Sequence, residues 1–361
     1  MRWGLFSLCT FLAFAQTANR QTISLEEYSP KSSLVVPENP RPRAKYPFID
    51  VHSHHRFPMS PEAAQKVLAA MDAMNMRILV NLSGRFGGSL KQGAEWAKST
   101  NGRMAVFANL DFSNIDDPGY GARAAAQLEQ DVSNGARGLK FFKQFGMDLK
   151  DTKGERIHVD DPRFDPVFET CARLKIPVLI HTADPKQFWE PVDKFNERWI
   201  ELNEIPGRRR DPSKNASWET LIAEQHNLFR RHKKTIFINA HLGWLGGDLA
   251  RLGRLLDECP NVYTEIGAVL AELGRQPRNA RAWFIRYQDR VLFGKDSWRP
   301  EEYPCYFRVL ETADEYFDYY RKRHAFWKMY GLELPDEVLK KLYYKNALRI
   351  IPGLDASGFP Q

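Results

Sequence analysis

The sequence predicts an α/β chain folded as a (β/α)8 TIM barrel, with extended loops after strands 4 and 5 and additional C-terminal helices. Three observations carry this reading. Eight short apolar runs rich in Val, Ile, Phe and Tyr alternate with longer amphipathic segments. No glycine-rich phosphate loop follows the first run, so a doubly wound open sheet lacks its usual support. The 361 residues are 43% hydrophobic, enough for one large core. Right-handed crossovers between successive parallel strands make a barrel the natural solution.

The elements follow in order. Residues 1–15 (MRWGLFSLCTFLAFA) place Arg2 before an apolar run that ends in Ala13-Phe14-Ala15. This is the pattern of a secretory signal peptide cleaved before Gln16, and it predicts an exported, periplasmic or secreted protein. Residues 16–44 are polar and Pro-containing and read as a flexible leader. The barrel is expected over 45–352, with a tail at 353–361. Its strand candidates are 46–53, 76–82, 104–112, 136–142, 176–182, 235–241, 261–267 and 289–296.

Helical patterns lie between them. Ser60-Pro61 supplies an N-cap and a proline at the first helical position. Segments 160–175, 217–232 and 247–259 repeat apolar residues at helical spacing. Long insertions follow strand 4 (Lys143 to His158) and strand 5 (Asp184 to Asn215). Both belong to the C-terminal face of the barrel, where substrate pockets form. After strand 8, segments 316–331 and 334–351 are aromatic and amphipathic.

Composition narrows the classes. Lys plus Arg number 52 and Asp plus Glu 45, a scattered excess of +7 that does not argue for nucleic acid. Cys171, Cys259 and Cys305 are widely spaced without a CxxC, which speaks against a disulfide framework or a structural zinc site. No segment after the N-terminus holds the ~20 apolar residues of a membrane helix, so no stable membrane insertion is expected.

The chemistry is concentrated in histidines. Of nine, His52, His54, His181 and His241 stand at the ends of strand candidates 1, 5 and 6, and Asp296 ends strand 8. His52 and His54 share one face, because a strand alternates sides with period two. In a barrel these ends converge on one volume. Imidazoles with one carboxylate suit a borderline divalent cation such as Zn²⁺, with an open position for water.

The motifs FIDVHSHH, PVLIHTADP, INAHLGW and FGKDSW resemble those of the amidohydrolase superfamily of metal-dependent barrels. The resemblance is closest to the amidohydrolase-related branch that includes aminocarboxymuconate-semialdehyde decarboxylases, and it covers about residues 46 to 350. It implies that His52, His54, His181 and Asp296 hold one divalent metal, most simply zinc. It implies that His241 is a catalytic residue beside a single metal or a ligand of a second one. It further implies that Asp296 is the general base and that Asp50 orients the strand-1 ligands. A homodimer is also what the resemblance implies.

Other residues have more than one reading. Lys140 on strand 4 points into the barrel if Leu139 and Phe141 pack outward. Carbamylated, it would bridge a second metal; otherwise it is a charge-paired lysine near the ligands. Glu265 on strand 7 is an acceptor for a ligand His N–H, a proton shuttle or a structural glutamate. Arg56 either grips a substrate carboxylate or is loop-surface charge. The leading expectation is an exported metal-dependent hydrolase of a small-molecule ester, lactone or amide. A metal-dependent nonoxidative decarboxylase is the alternative, and a metal- or ligand-binding protein without turnover is the third.

Overall fold

Every apolar run contains a parallel strand. The strands are β1 (Phe48–Ser53), β2 (Met76–Asn81), β3 (Met104–Val106), β4 (Leu139–Phe141), β5 (Val178–Ile180), β6 (Phe237–Asn239), β7 (Val262–Glu265) and β8 (Val291–Leu292). The structure, a computed structural model, describes residues 21–324 and 327–360. The expected signal peptide lies outside the described residues. Residues up to Leu34 form a unit of their own. Its described part is exposed, with a turn in which Ser24 and Glu27 bond to each other.

The strands form a three-stranded sheet, β1-β2-β3, and a five-stranded sheet, β4-β5-β6-β7-β8. Two seams join them into the (β/α)8 barrel. At one, Ala108 bridges Leu139; at the other, Ser53 bridges Asp296. Backbone hydrogen bonds reinforce both: Lys140 N–H to Ala108 O at 2.8 Å, and Asp296 N–H to His52 O at 2.7 Å. The second seam brings the chain after β8 against the histidines of β1.

A longer helix follows each strand: α1 (Pro61–Met74), α2 (Gly87–Lys98), α3 (Tyr120–Ser133), α4 (Asp165–Leu174), α5 (Trp218–Arg231), α6 (Leu249–Glu258), α7 (Pro277–Arg286) and α8 (Tyr303–Glu311); short helical turns at Gln144–Met147, Trp199–Glu204 and Leu270–Gly274 precede α4, α5 and α7. Ser60 caps α1 by accepting from Ala63 N–H at 3.2 Å, and Ser217 caps α5 by accepting from Thr220 N–H at 3.0 Å. Each such cap stabilises its helix by about 1 kcal/mol. On β4, Phe141 packs outward against Phe168 of α4, with ring centroids 5.5 Å apart. Lys140 between the two outward residues therefore turns inward, as the alternation predicts.

The two segments after β8 differ. The second forms helix over Asp336–Lys340 and Asn346–Ile350, joined by a π turn at Lys341–Lys345. Within that turn, Leu342 O accepts from Phe293 N–H at 2.9 Å, tying the helix to the end of β8. The first segment, 316–331, is irregular rather than helical. Phe317 and Tyr319 are both buried, a period-two spacing that suits extended chain, and Phe317 pairs with Met329 through both backbone groups. No helix among the described residues is long and apolar enough to cross a membrane.

Candidate metal centre

The end of β1 is held rigidly from below. Asp50 is fully buried and accepts from His52 N–H at 2.9 Å, Lys295 N–H at 3.2 Å and Tyr303 O–H at 2.6 Å. Burial pushes its carboxyl up to about 7, against those three bonds. Asp50 thus ties the strand carrying His52 to the segment carrying Asp296.

The imidazole tautomers follow from their partners. His52 Nδ1 lies 3.0 Å from Glu265 Oε1, and an ionised carboxylate only accepts. His241 Nδ1 lies 2.8 Å from the carbonyl of Gly267, which also only accepts. Both rings therefore carry their proton on Nδ1 and present an Nε2 lone pair. His54 uses Nδ1 on Ser83 Oγ at 2.9 Å. Burial, followed by the nearby Lys140 charge, lowers His52 to about 4, so it is neutral at pH 7.

The free Nε2 atoms converge. His52 Nε2 and His54 Nε2 lie 3.5 and 3.3 Å from Asp296 Oδ1, and the three atoms fit within one 4.8 Å group. His181 stands beside them. Its Nδ1 is 3.3 Å from His241 Nε2, and since that atom is an acceptor, His181 donates from Nδ1. Its Nε2 is buried and, among the described residues, without a hydrogen-bond partner. Imidazole nitrogens converging on one carboxylate oxygen, with an orphaned imidazole nitrogen alongside, fit a divalent cation. Burial raises Asp296, but the neighbouring His52 and the bond to His54 hold it well below the usual carboxylate range.

His241 reaches this position through an unusual backbone. β6 ends at Asn239, and His241, Leu242, Gly243 and Trp244 then take φ of 58°, 53°, 60° and 56°. Left-handed backbone costs roughly 1–2 kcal/mol per non-glycine residue. In return His241 N–H reaches Glu265 Oε1 at 2.6 Å, and Trp244 stacks on the His241 ring at 4.6 Å. Gly243 is required here, because a Cβ would sit 2.3 Å from Asn239 Nδ2.

A family profile described as amidohydrolase matches residues 36–353, most of the chain. The chain belongs to the amidohydrolase family. No curated protein matches it in sequence. Among solved structures, a 2,6-dihydroxybenzoate decarboxylase in complex with 2,6-dihydroxybenzoate superposes with a TM-score of 0.54 at 13% identity, covering 84% of this chain and 99% of that one. A dihydroxybenzoic acid decarboxylase from Polaromonas sp. JS666, with bound manganese and 2-nitroresorcinol, gives 0.52 at 13% identity over 84% and 96% of the two chains. The 5-carboxyvanillate decarboxylase of Sphingomonas paucimobilis gives 0.51 at 14% over 85% and 99%. At these identities the likeness shows the shared barrel. The family establishes an enzyme of hydrolase or carboxy-lyase type.

In this amidohydrolase, Glu265 is the acceptor that orients His52; its other oxygen accepts from Gly267 N–H at 2.5 Å. Burial alone would raise Glu265, but His52 and the His241 N–H outweigh it and lower the carboxyl to about 2. Lys140 Nζ lies 3.4 Å from His52 Nε2 and has no carboxylate within 4.0 Å among the described residues. The expected charge pairing is thus absent as a direct contact, and burial lowers the amine to about 8. Arg56 does not join the site: it is exposed, and among the described residues it makes no hydrogen bond or ion pair.

Above the histidines lies a cavity of about 160 Å³ that His181, His241, Asp296 and Trp244 share with the loops after β4 and β5. Phe188 of the second insertion lines it. Asp184 is clamped there by Lys143 at 2.7 Å and Arg210 at 2.6 Å. Three contributors escaped the sequence reading: Ser83, Trp244 and Arg321. Trp244 follows INAHLG directly, so proximity in sequence was a usable signal for it. Ser83 and Arg321 reach the site only through the fold.

Proposed function

We propose that this amidohydrolase is a zinc-type hydrolase that delivers an activated water to an ester, lactone or amide carbonyl. The observation that carries the reading is the convergence of His52 Nε2, His54 Nε2 and Asp296 Oδ1, each imidazole tied off at Nδ1. With the buried Nε2 of His181, these residues would hold the metal. Bound there, a divalent ion supplies Lewis acidity, polarising a carbonyl and lowering the pKa of water towards ~7.

The remaining steps belong to side chains. Asp296 is ionised and 30% exposed towards the cavity, so it is available to take the proton from the attacking water. The proton that Asp296 takes is the one returned to the leaving group, while His241, fixed at Nδ1 and accepting from His181 at Nε2, lines the cavity as a hydrogen-bond acceptor. Trp244 and Phe188 cover the site and limit bulk water. The apolar run from Trp3 to Ala15 supports export, which N-terminal sequencing of secreted protein would check.

A second reading, a nonoxidative carboxy-lyase using the same residues, is favoured by the guanidinium of Arg321 in the cavity wall. The deciding experiment measures metal per chain by elemental mass spectrometry for wild type and His181→Ala. Aryl esters, lactones and 2,6-dihydroxybenzoate are then assayed with wild type and Asp296→Asn. Ester or lactone hydrolysis lost in Asp296→Asn supports the proposal. Release of CO₂ without hydrolysis selects the carboxy-lyase, and a metal-free wild type after metal-supplemented expression sinks both.

A further inference from the structure

The cavity over the metal centre has four lysine or arginine side chains in its wall, and three of them are already paired. Lys143 reaches Asp184 at 2.7 Å. Arg198 reaches Glu201 at 3.1 Å and Glu272 at 2.5 Å. Arg208 pairs with Glu201. Arg321 lines the same cavity but, among the described residues, its guanidinium has no carboxylate within 4.0 Å and no hydrogen bond. A guanidinium carries five donors in a fixed planar fork and no acceptor. Left without an anion in the cavity wall, it is an open binding site for one.

Its surroundings reinforce this. Arg321 stands 5.6 Å from the Tyr320 ring centroid. Beyond it, the Tyr319 and Tyr320 rings pack on each other with centroids 4.3 Å apart. The Arg321 guanidinium is charged at any working pH. The segment is anchored by the paired backbone of Phe317 and Met329, at 3.1 and 2.8 Å. The wall therefore offers the unspent donors of the Arg321 guanidinium, facing the same space as His181, His241 and Asp296.

We propose that Arg321 binds a carboxylate of the substrate and so restricts this enzyme to acidic small molecules. This rests on reading the cavity as the substrate pocket, and it holds for hydrolysis or decarboxylation. It assigns to Arg321 the task that the sequence suggested for Arg56. A bidentate guanidinium–carboxylate pair is the geometry that a planar fork favours, and a lysine ammonium does not reproduce it.

The test is calorimetric titration of metal-loaded protein with 2,6-dihydroxybenzoate and with its neutral carboxamide. Wild type, Arg321→Gln and Arg321→Lys are compared, each checked for metal content and melting temperature. Wild type is expected to prefer the carboxylate, Arg321→Gln to lose about tenfold or more in carboxylate affinity while binding the amide unchanged, and Arg321→Lys to fall between. Retention of the wild-type preference in Arg321→Gln overturns the proposal, as does a wild type that binds neither probe or binds both equally. A wild type that hydrolyses neutral esters but ignores carboxylates keeps the function proposed above and loses this one. Arg321-dependent carboxylate binding without turnover of any substrate does the reverse.

Discussion

Replacing Glu265 with Gln tests whether the β7 carboxylate holds the metal-facing imidazole in place. Glu265 is fully buried and accepts from His52 Nδ1–H at 3.0 Å, His241 N–H at 2.6 Å and Gly267 N–H at 2.5 Å. Gln preserves the shape but supplies one oxygen and one NH₂ group, so a donor must face a donor. Charge-assisted bonds contribute about 1.5–3 kcal/mol each, and a buried group left unpaired costs about 1–3 kcal/mol. Losing one bond and opposing another donor therefore costs about 3–5 kcal/mol. At about 2 cal/mol/K per residue of unfolding entropy, the metal-free chain should melt about 4–7 °C lower. Metal affinity should fall about 10–100-fold, as for other partners of ligating histidines. Competition against a fluorescent chelator, with calorimetric melting of the metal-free protein, measures both. A variant with wild-type metal affinity and an unchanged melting temperature would refute the reasoning. A lower melting temperature with unchanged affinity would make Glu265 a structural residue only.

Three further outcomes are expected. A Cβ at Gly294 would lie 2.5 Å from Glu265 Oε2 and 2.9 Å from His52 Cβ, so Gly294→Ala should destabilise the chain by about 1–3 kcal/mol and lower its metal content together; unchanged metal stoichiometry and stability would contradict this. His226, lowered from 6.5 to about 4 by burial and then by Arg230 and Arg251, is neutral in the folded chain. The unfolded chain takes up the proton first, so this contribution is complete above pH 6.5 and is lost as pH falls towards 4, by up to about 3 kcal/mol. Denaturant midpoints at pH 7 and pH 4.5 should therefore drop less in His226→Gln than in wild type, and an equal drop counts against the assignment. Tyr303→Phe removes the 2.6 Å bond to buried Asp50 and should cost about 1–3 kcal/mol in chemical denaturation, whereas an unchanged midpoint would mean that Asp50 needs no such partner.

Much of the molecule is legible in the chain order of its residues. The eight strands fall inside the eight apolar runs, because a buried parallel strand must be apolar on both faces. The pairing of His52 with His54 and the inward aim of Lys140 follow from period-two alternation alone. The N-caps at Ser60 and Ser217 are local chemistry, settled within a turn of the helix they start. The metal-binding character of the site is equally local in origin, since it needs only residue types at strand ends.

The tertiary structure decided what depends on partners distant in sequence. Glu265 could have been a shuttle or a plain structural acid, and it became the orienting acceptor because the left-handed turn after β6 brings His241 N–H to the oxygen that also takes His52. Asp296 is beyond the end of β8, with φ of 80°, and it reaches the site through a bridge to Ser53 rather than through strand alternation. Arg56, four residues after His52, was the nearer arginine in sequence, yet it faces solvent. Arg321 lies 25 residues beyond Asp296 in a segment that reads as an amphipathic helix, and irregular backbone pairing turns it into the cavity instead. Periodicity reports which face of an element a residue occupies; only the packing of the whole barrel determines which unpaired charge that face meets.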